Sequence, residues 1–244
     1  MKKILLTTLA ITVLFSCKKE EEPISVTSPS TKGNVVLNAQ FLVNGASYNS
    51  DSVYVDDFSN NYKISFSNVY LSQLNFEDGG VITPLPIQYV LLKPETSTYN
   101  LGSVEEGHYH NFNYGIGIDS ATNHTDPNSY DLSSPLYPQS PNMHWTWNSG
   151  YIFYKIEGSI DTDSDGTFET TFAFHIGTDD LRRDGTFMFH DAIVAGATTT
   201  IDMKIDLGKF LTGIDLSIDN STHTMNNMPL ALRVANNATS AVTN

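Results

Sequence analysis

Apolar residues recur at every second position in short segments, and turns built on Gly, Asn and Asp cut those segments apart. Asn34 to Val43 alternates and runs into Asn44-Gly45, a pair suited to the type I′ hairpin turn. Asn61 to Leu71 alternates as well, with Ile64, Phe66 and Asn68 expected on one face, and Asp78-Gly79-Gly80 marks the next reversal. Ile87 to Leu92, His108 to Asp119, Phe168 to Gly177, Phe187 to His190, Thr198 to Leu207 and Ala231 to Val234 also read as strands. Gly208 to Leu211 reads as one helical turn, and no long amphipathic helix is evident. Strands of this kind bury their apolar faces by stacking sheets. The expected fold is therefore all-β, an antiparallel β-sandwich of Greek-key type with one long loop from Ser120 to Pro141. A loop of that length inside a compact domain is usually functional.

The loop leads into Asn142 to Gly158, which holds both tryptophans. Trp145 and Trp147 stand two apart, so an extended strand sends their rings to one face and His144, Thr146 and Asn148 to the other. After Gly150, Tyr151 to Ile156 is apolar or aromatic except at Lys155, as in a strand covered on both faces. Aromatic residues also simply fill sandwich cores, and the histidines are what add chemistry. Seven are present, and neutral imidazole is the usual borderline metal ligand where thiols are absent. His108 and His110 share one strand face, His124 lies in the long loop, and His175 interrupts the apolar run Phe172 to Ile176. His190 and His223 have no informative context.

The chain opens on Met1-Lys2-Lys3, an apolar run from Ile4 to Phe15, and Ser16-Cys17. The run is too short to span a bilayer, and the small residue before cysteine marks lipoprotein processing. Residues 1–16 are thus expected to be a signal peptide and Cys17 the lipidated residue, with 17–33 a tether rich in charge, Ser, Thr and Pro. Residues 34–244 form the expected single domain. Cys17 is the only cysteine, which excludes disulfides, zinc-thiolate sites and thiol nucleophiles from the mature chain. Lys18 to Pro23 resembles the export tag of Bacteroidota surface lipoproteins, so display on the outer membrane, facing outward, is expected. With 27 acidic against 13 basic residues the net charge is -14, which argues against nucleic acid and suits attraction of cations.

Asp161, Asp163, Asp165 and Gly166 open like a calcium loop, and Glu169 supplies a ninth-position carboxylate. Position twelve is Phe172 rather than the bidentate Glu of a helix-flanked loop, so this is a candidate calcium turn in a β-hairpin. No Gly-x-Ser-x-Gly elbow, zinc-protease motif or phosphate-cradling loop occurs, and the chain is read as non-enzymatic.

Several motifs, in order along the chain, resemble the MbnP-like copper-binding proteins, relatives of the metallo-mystery pair proteins. They are Val43-Asn44-Gly45, Ile64 to Leu71, Tyr114 to Ile118, Asn123-His124 with Asp126-Pro127, Pro135-Leu136, Met143 to Trp147 with Gly150-Tyr151, and Phe174 to Gly177. Met-x-Trp-x-Trp followed by Gly-Tyr is the most specific of them. The resemblance implies a β-rich protein that binds one copper ion through histidines and a tryptophan oxidised to kynurenine. It also implies a partner, a MauG-like di-haem cytochrome c peroxidase, that performs the oxidation. Carried over by motif, the metal-site residues are His124, His144 and His175, with Trp145 and Trp147 modified or lining the site. The cysteines of the four-cysteine branch are absent here. Two rival expectations remain: a carbohydrate- or protein-binding lipoprotein with the two indoles as a stacking platform, and a hydrolase built from Asp, Glu and His residues without a known motif.

Overall fold

The computed structural model describes residues 31–138, 142–146 and 150–244. Cys17, Trp147 and the leader lie outside these residues. The chain is mostly strand, arranged as an all-β sandwich of two principal sheets. Eight described strands have six or more residues: β1 (Lys32–Val43), β2 (Asn61–Asp78), β3 (Thr98–Glu105), β4 (Asn111–Ile116), β5 (Tyr154–Asp161), β6 (Thr170–Ile176), β7 (Arg183–Met188) and β8 (Thr198–Asp206). The nine-stranded sheet runs β7, β4, β2, β5, β6 and then the short strand Ser221–Thr222. Three more short strands pair with β2, which is its spine. The five-stranded sheet centres on β1, with β3 antiparallel on one side and β8 on the other.

The two expected hairpins form. Asn44 and Gly45 have φ of 52° and 81°, and Val43 pairs with Ala46 across them. Gly79 and Gly80 have φ of 55° and 84°, and Asp78 pairs with Val81. Both are the left-handed pairs that a two-residue turn needs to follow the strand twist. Pairing departs from the antiparallel expectation in two places. β8 runs parallel to β1, from Asn34 opposite Thr198 to Leu42 opposite Asp206, and Ser221–Thr222 runs parallel to β6. Short apolar runs carry no information about strand direction, which is why composition did not reveal this.

The core lies between the sheets. β1 contributes Val35, Leu37 and Phe41, β8 contributes Ile201, Met203 and Ile205, and β6 contributes Phe172, Phe174 and Ile176. The face expectation for β2 fails at Ser65. Glu157 pairs with Phe66 but Gly158 pairs with Ile64, so Ser65 is an extra, bulged residue. The bulge leaves Ile64 in the core and turns Phe66 and Asn68 to the opposite face, beside Lys155 and His175.

A second correction concerns the C-terminal segment. Ala231 to Val234, expected as a strand, belongs to a helix over Met228–Ala241. Asn227 caps it by accepting from Leu230 N–H, and Pro229 sits in the first turn, where its missing N–H costs nothing. Leu230, Val234, Ala238 and Ala241 recur at three- and four-residue spacing and are buried. The stripe is mainly alanine, so it contrasts weakly with its neighbours in the sequence.

Candidate functional site

The long loop is built rather than loose. Asp119 caps the short helix Ser120–Asn123 by accepting from Thr122 N–H, and it also accepts from the Tyr89 hydroxyl at 2.6 Å. Asn123, at the end of that helix, is buried. Its Oδ1 accepts from Tyr151 N–H and its Nδ2 donates to Asp179 Oδ1, each at 2.8 Å. A side chain at Gly150 would bring its Cβ within 2.3 Å of the same Asn123 Oδ1, so glycine is needed for that approach. Asn123 thereby fixes the loop to the Trp strand and to the turn after β6.

His124 follows directly, with Nε2 3.2 Å from Asp179 Oδ2. Burial raises the Asp179 pKa, but the hydrogen bonds from Ser120, Asn123 and His124 more than offset it and hold the carboxyl below its usual range. An ionised carboxylate can only accept, so His124 Nε2 is the ring nitrogen that donates to Asp179. His124 lines a cavity of about 690 Å³ together with Asn123, Trp145, Thr178, Asp179, Asp180, His223 and Met225. Trp145 is half-buried against the core, and a Cβ at Gly177 would lie 2.9 Å from its ring. Thr178, on the cavity wall, has φ of 96° and a buried hydroxyl without a hydrogen-bond partner among the described residues. A β-branched residue in that conformation is strained, as functional sites often are.

His175 stands just behind the cavity. Its ring meets that of His223 edge-to-face with centres 4.4 Å apart, and its Nε2 lies 2.7 Å from Glu157 Oε1. Burial pushes the Glu157 pKa up, yet hydrogen bonds from His175 and Lys155 hold it lower than usual. Here too the ring proton sits on Nε2, leaving Nδ1 as the free donor atom. Burial also pushes the His175 pKa down, which keeps the imidazole neutral. Thr224 secures the neighbouring backbone: its hydroxyl donates to the His175 carbonyl at 2.8 Å and accepts from Gly177 N–H at 2.9 Å.

The structure therefore brings His124 and Trp145 to one cavity and sets His175 against its wall. His144 is not on that wall. Its ring packs edge-to-face on Tyr151 with centres 4.5 Å apart, its Nε2 is buried without a partner among the described residues, and burial pushes its pKa down. His223, Met225 and Asp179 line the cavity and were not expected from the sequence. Two reach it from 221–225, whose position is set by the parallel pairing of Phe174 with Thr222, and no local pattern announces that contact. His108, His110 and His190 form a separate exposed group with ring centres 5.1 and 6.3 Å apart, and His110 is bonded to Asp78. Asp161, Asp163, Asp165 and Glu169 do converge, their ligand atoms lying within 4.8 Å of one another. Among the described residues no three histidines meet that condition.

No curated protein matches the chain. The solved structure of MbnP from Methylosinus trichosporium superposes with a TM-score of 0.53 at 16% identity, covering 73% of this chain and 77% of that one, which is a likeness of fold. The MbnP family model matches residues 32–228, most of the chain and nearly all of the sandwich. The chain belongs to the MbnP family.

Proposed function

We propose that this protein binds one copper ion at the cavity walled by His124, Trp145 and His223, as a capture or handling protein rather than an enzyme. The observation that carries the reading is the pairing of two imidazoles with ionised carboxylates, His124 with Asp179 and His175 with Glu157. Metal-binding histidines characteristically donate their second ring N–H to such a partner, which orients the ring and raises its basicity. Two imidazoles on one ion at 2.0–2.1 Å have ring centres about 4.5 Å apart when the angle at the metal is near 90°. His175 and His223 stand at 4.4 Å, close to that spacing. His124 supplies a third imidazole across the cavity and Met225 a thioether, a borderline-to-soft donor set that favours copper over zinc. The acidic wall and the net charge of -14 favour cation entry.

Glu157→Gln keeps the shape of the side chain and removes the ionised acceptor. It is expected to weaken copper binding by about 10- to 100-fold while leaving the fold intact. An unchanged affinity in a competition titration would mean that His175 plays no part.

Trp145 is the tryptophan proposed to become kynurenine. Opening the indole replaces a donor N–H by a carbonyl and an aromatic amine, groups able to face a metal. The conversion breaks the indole C2–C3 bond as two oxygen atoms are added, and hydrolysis then releases C2 as formate, a net gain of one oxygen and loss of one carbon. The oxidant is peroxide, activated by a partner of the MauG-like di-haem peroxidase class. Protein from the native cell is expected to show that mass change in the peptide spanning 142–155, and protein made without the partner to lack it. Two intact indoles in native material would remove the kynurenine claim and leave histidine-based binding standing. Intact indoles whose fluorescence is quenched by added glycan would favour the stacking-platform reading instead. Cys17 is proposed as the lipid anchor that holds the domain at the outer membrane surface. Cys17→Ser should release the chain to the soluble fraction, and retention would refute the anchor.

A further inference from the structure

We propose that the hairpin joining β5 to β6 is a calcium site, built by Asp161, Asp163, Asp165 and Glu169 and independent of the copper cavity. The exposed part of the turn explains itself. Asp163 Oδ1 accepts from Asp165 N–H at 3.2 Å and Asp165 Oδ1 from Thr167 N–H at 2.7 Å, ordinary Asp-turn bonds. Asp161 is different. It is 2% exposed, its Oδ2 accepts from Gly166 N–H at 3.0 Å, and its Oδ1 is buried with no hydrogen-bond partner among the described residues. A buried carboxylate oxygen without a donor is destabilising unless a cation serves it. Asp161 forms the floor of a group of four carboxylates whose ligand atoms all lie within 4.8 Å of one another, a separation at which uncompensated like charges repel.

The chemistry selects the ion. All four donors are carboxylate oxygens, so the site takes a hard cation and not the borderline metal that suits imidazole and thioether. Positions 1, 3, 5 and 9 of the turn are filled and Gly166 occupies position 6 with φ of 90°, the sharp turn of a calcium loop. Magnesium demands a small octahedron and gives up its waters reluctantly, whereas calcium accepts a flexible cage of this kind. Phe172 at position 12 is buried in the core, so Glu169 is the last carboxylate available and the affinity should fall near that of extracellular calcium modules, a Kd of about 10⁻⁴ M. The ion would tie together the ends of the two strands that carry Glu157 and His175.

The test uses the folded domain, freed of metal with EDTA and melted with and without about 2 mM calcium chloride. Calorimetric titration should give one calcium per chain, and the melting temperature should rise by about 5 °C. Asp163→Asn with Asp165→Asn, at exposed positions that leave Asp161 in place, should abolish both responses while copper binding is unchanged. Magnesium at the same concentration should give less than half the shift. A wild-type protein that neither melts higher nor titrates with calcium overturns the proposal, as does an equal response in the double variant. Loss of copper binding in cavity variants that keep their calcium response would bear on the copper reading alone.

Discussion

Replacing His124, His175 and His223 together by alanine is expected to abolish stoichiometric copper binding, and each single replacement to weaken it. The structural grounds differ for the three. His124 is exposed, and its ring is hydrogen-bonded to Asp179, so its removal leaves the core untouched. His175 and His223 meet edge-to-face on the outer face of the nine-stranded sheet, opposite the side that packs against β1 and β8. Neither is part of the apolar core, so loss of copper in the triple variant would not be an echo of unfolding, and an unchanged far-UV spectrum checks this. The control is His108→Ala with His110→Ala. Their ring spacing of 5.1 Å also suits one shared ion, at an angle wider than 90°. Copper binding that survives the triple variant and disappears in this pair would move the site to the exposed group.

Gly158→Ala should be the most damaging methyl group in the sheet. Its Cβ would sit 1.9 Å from the Lys63 carbonyl oxygen and 2.5 Å from the Phe172 ring, and the first of these is backbone that cannot step aside. The position lies beside the Ser65 bulge, where β5 and β2 change register. Relieving the clash means undoing the bulge, which would return Phe66 and Asn68 to the core face and expose the apolar residues now there. A loss of about 3 kcal/mol or more is expected, seen as a melting temperature lower by about 6–12 °C. Gly107→Ala meets nothing closer than 3.8 Å and should change stability by less than about 0.5 kcal/mol. Equal stability of the two variants would contradict the close packing at Gly158.

These two cases mark what could be read in the sequence and what could not. The Asn44-Gly45 and Gly79-Gly80 turns were legible because left-handed φ is a local demand that few residues meet. The acidic hairpin was legible for the same reason, through Gly166 and the spacing of its aspartates. The Ser65 bulge was not. Nothing in Ile64-Ser65-Phe66 distinguishes a bulged residue from a paired one until Gly158 takes its place opposite. His124 and Trp145 could be singled out, one by its loop and one by its motif. His223 could not, because its partner His175 lies 48 residues earlier and only a two-residue parallel ladder brings them together. The helix over Met228–Ala241 was hidden by its alanine stripe, which packs closely but shows little contrast in hydropathy.

Copper at the Trp145 cavity is read from the copper content of the purified domain. Metal-free protein is mixed with excess copper, desalted against a weak chelator and measured for metal per chain. One copper should remain on the wild type, and none on the protein lacking His124, His175 and His223. Copper retained equally by both would mean that these three histidines do not hold the ion.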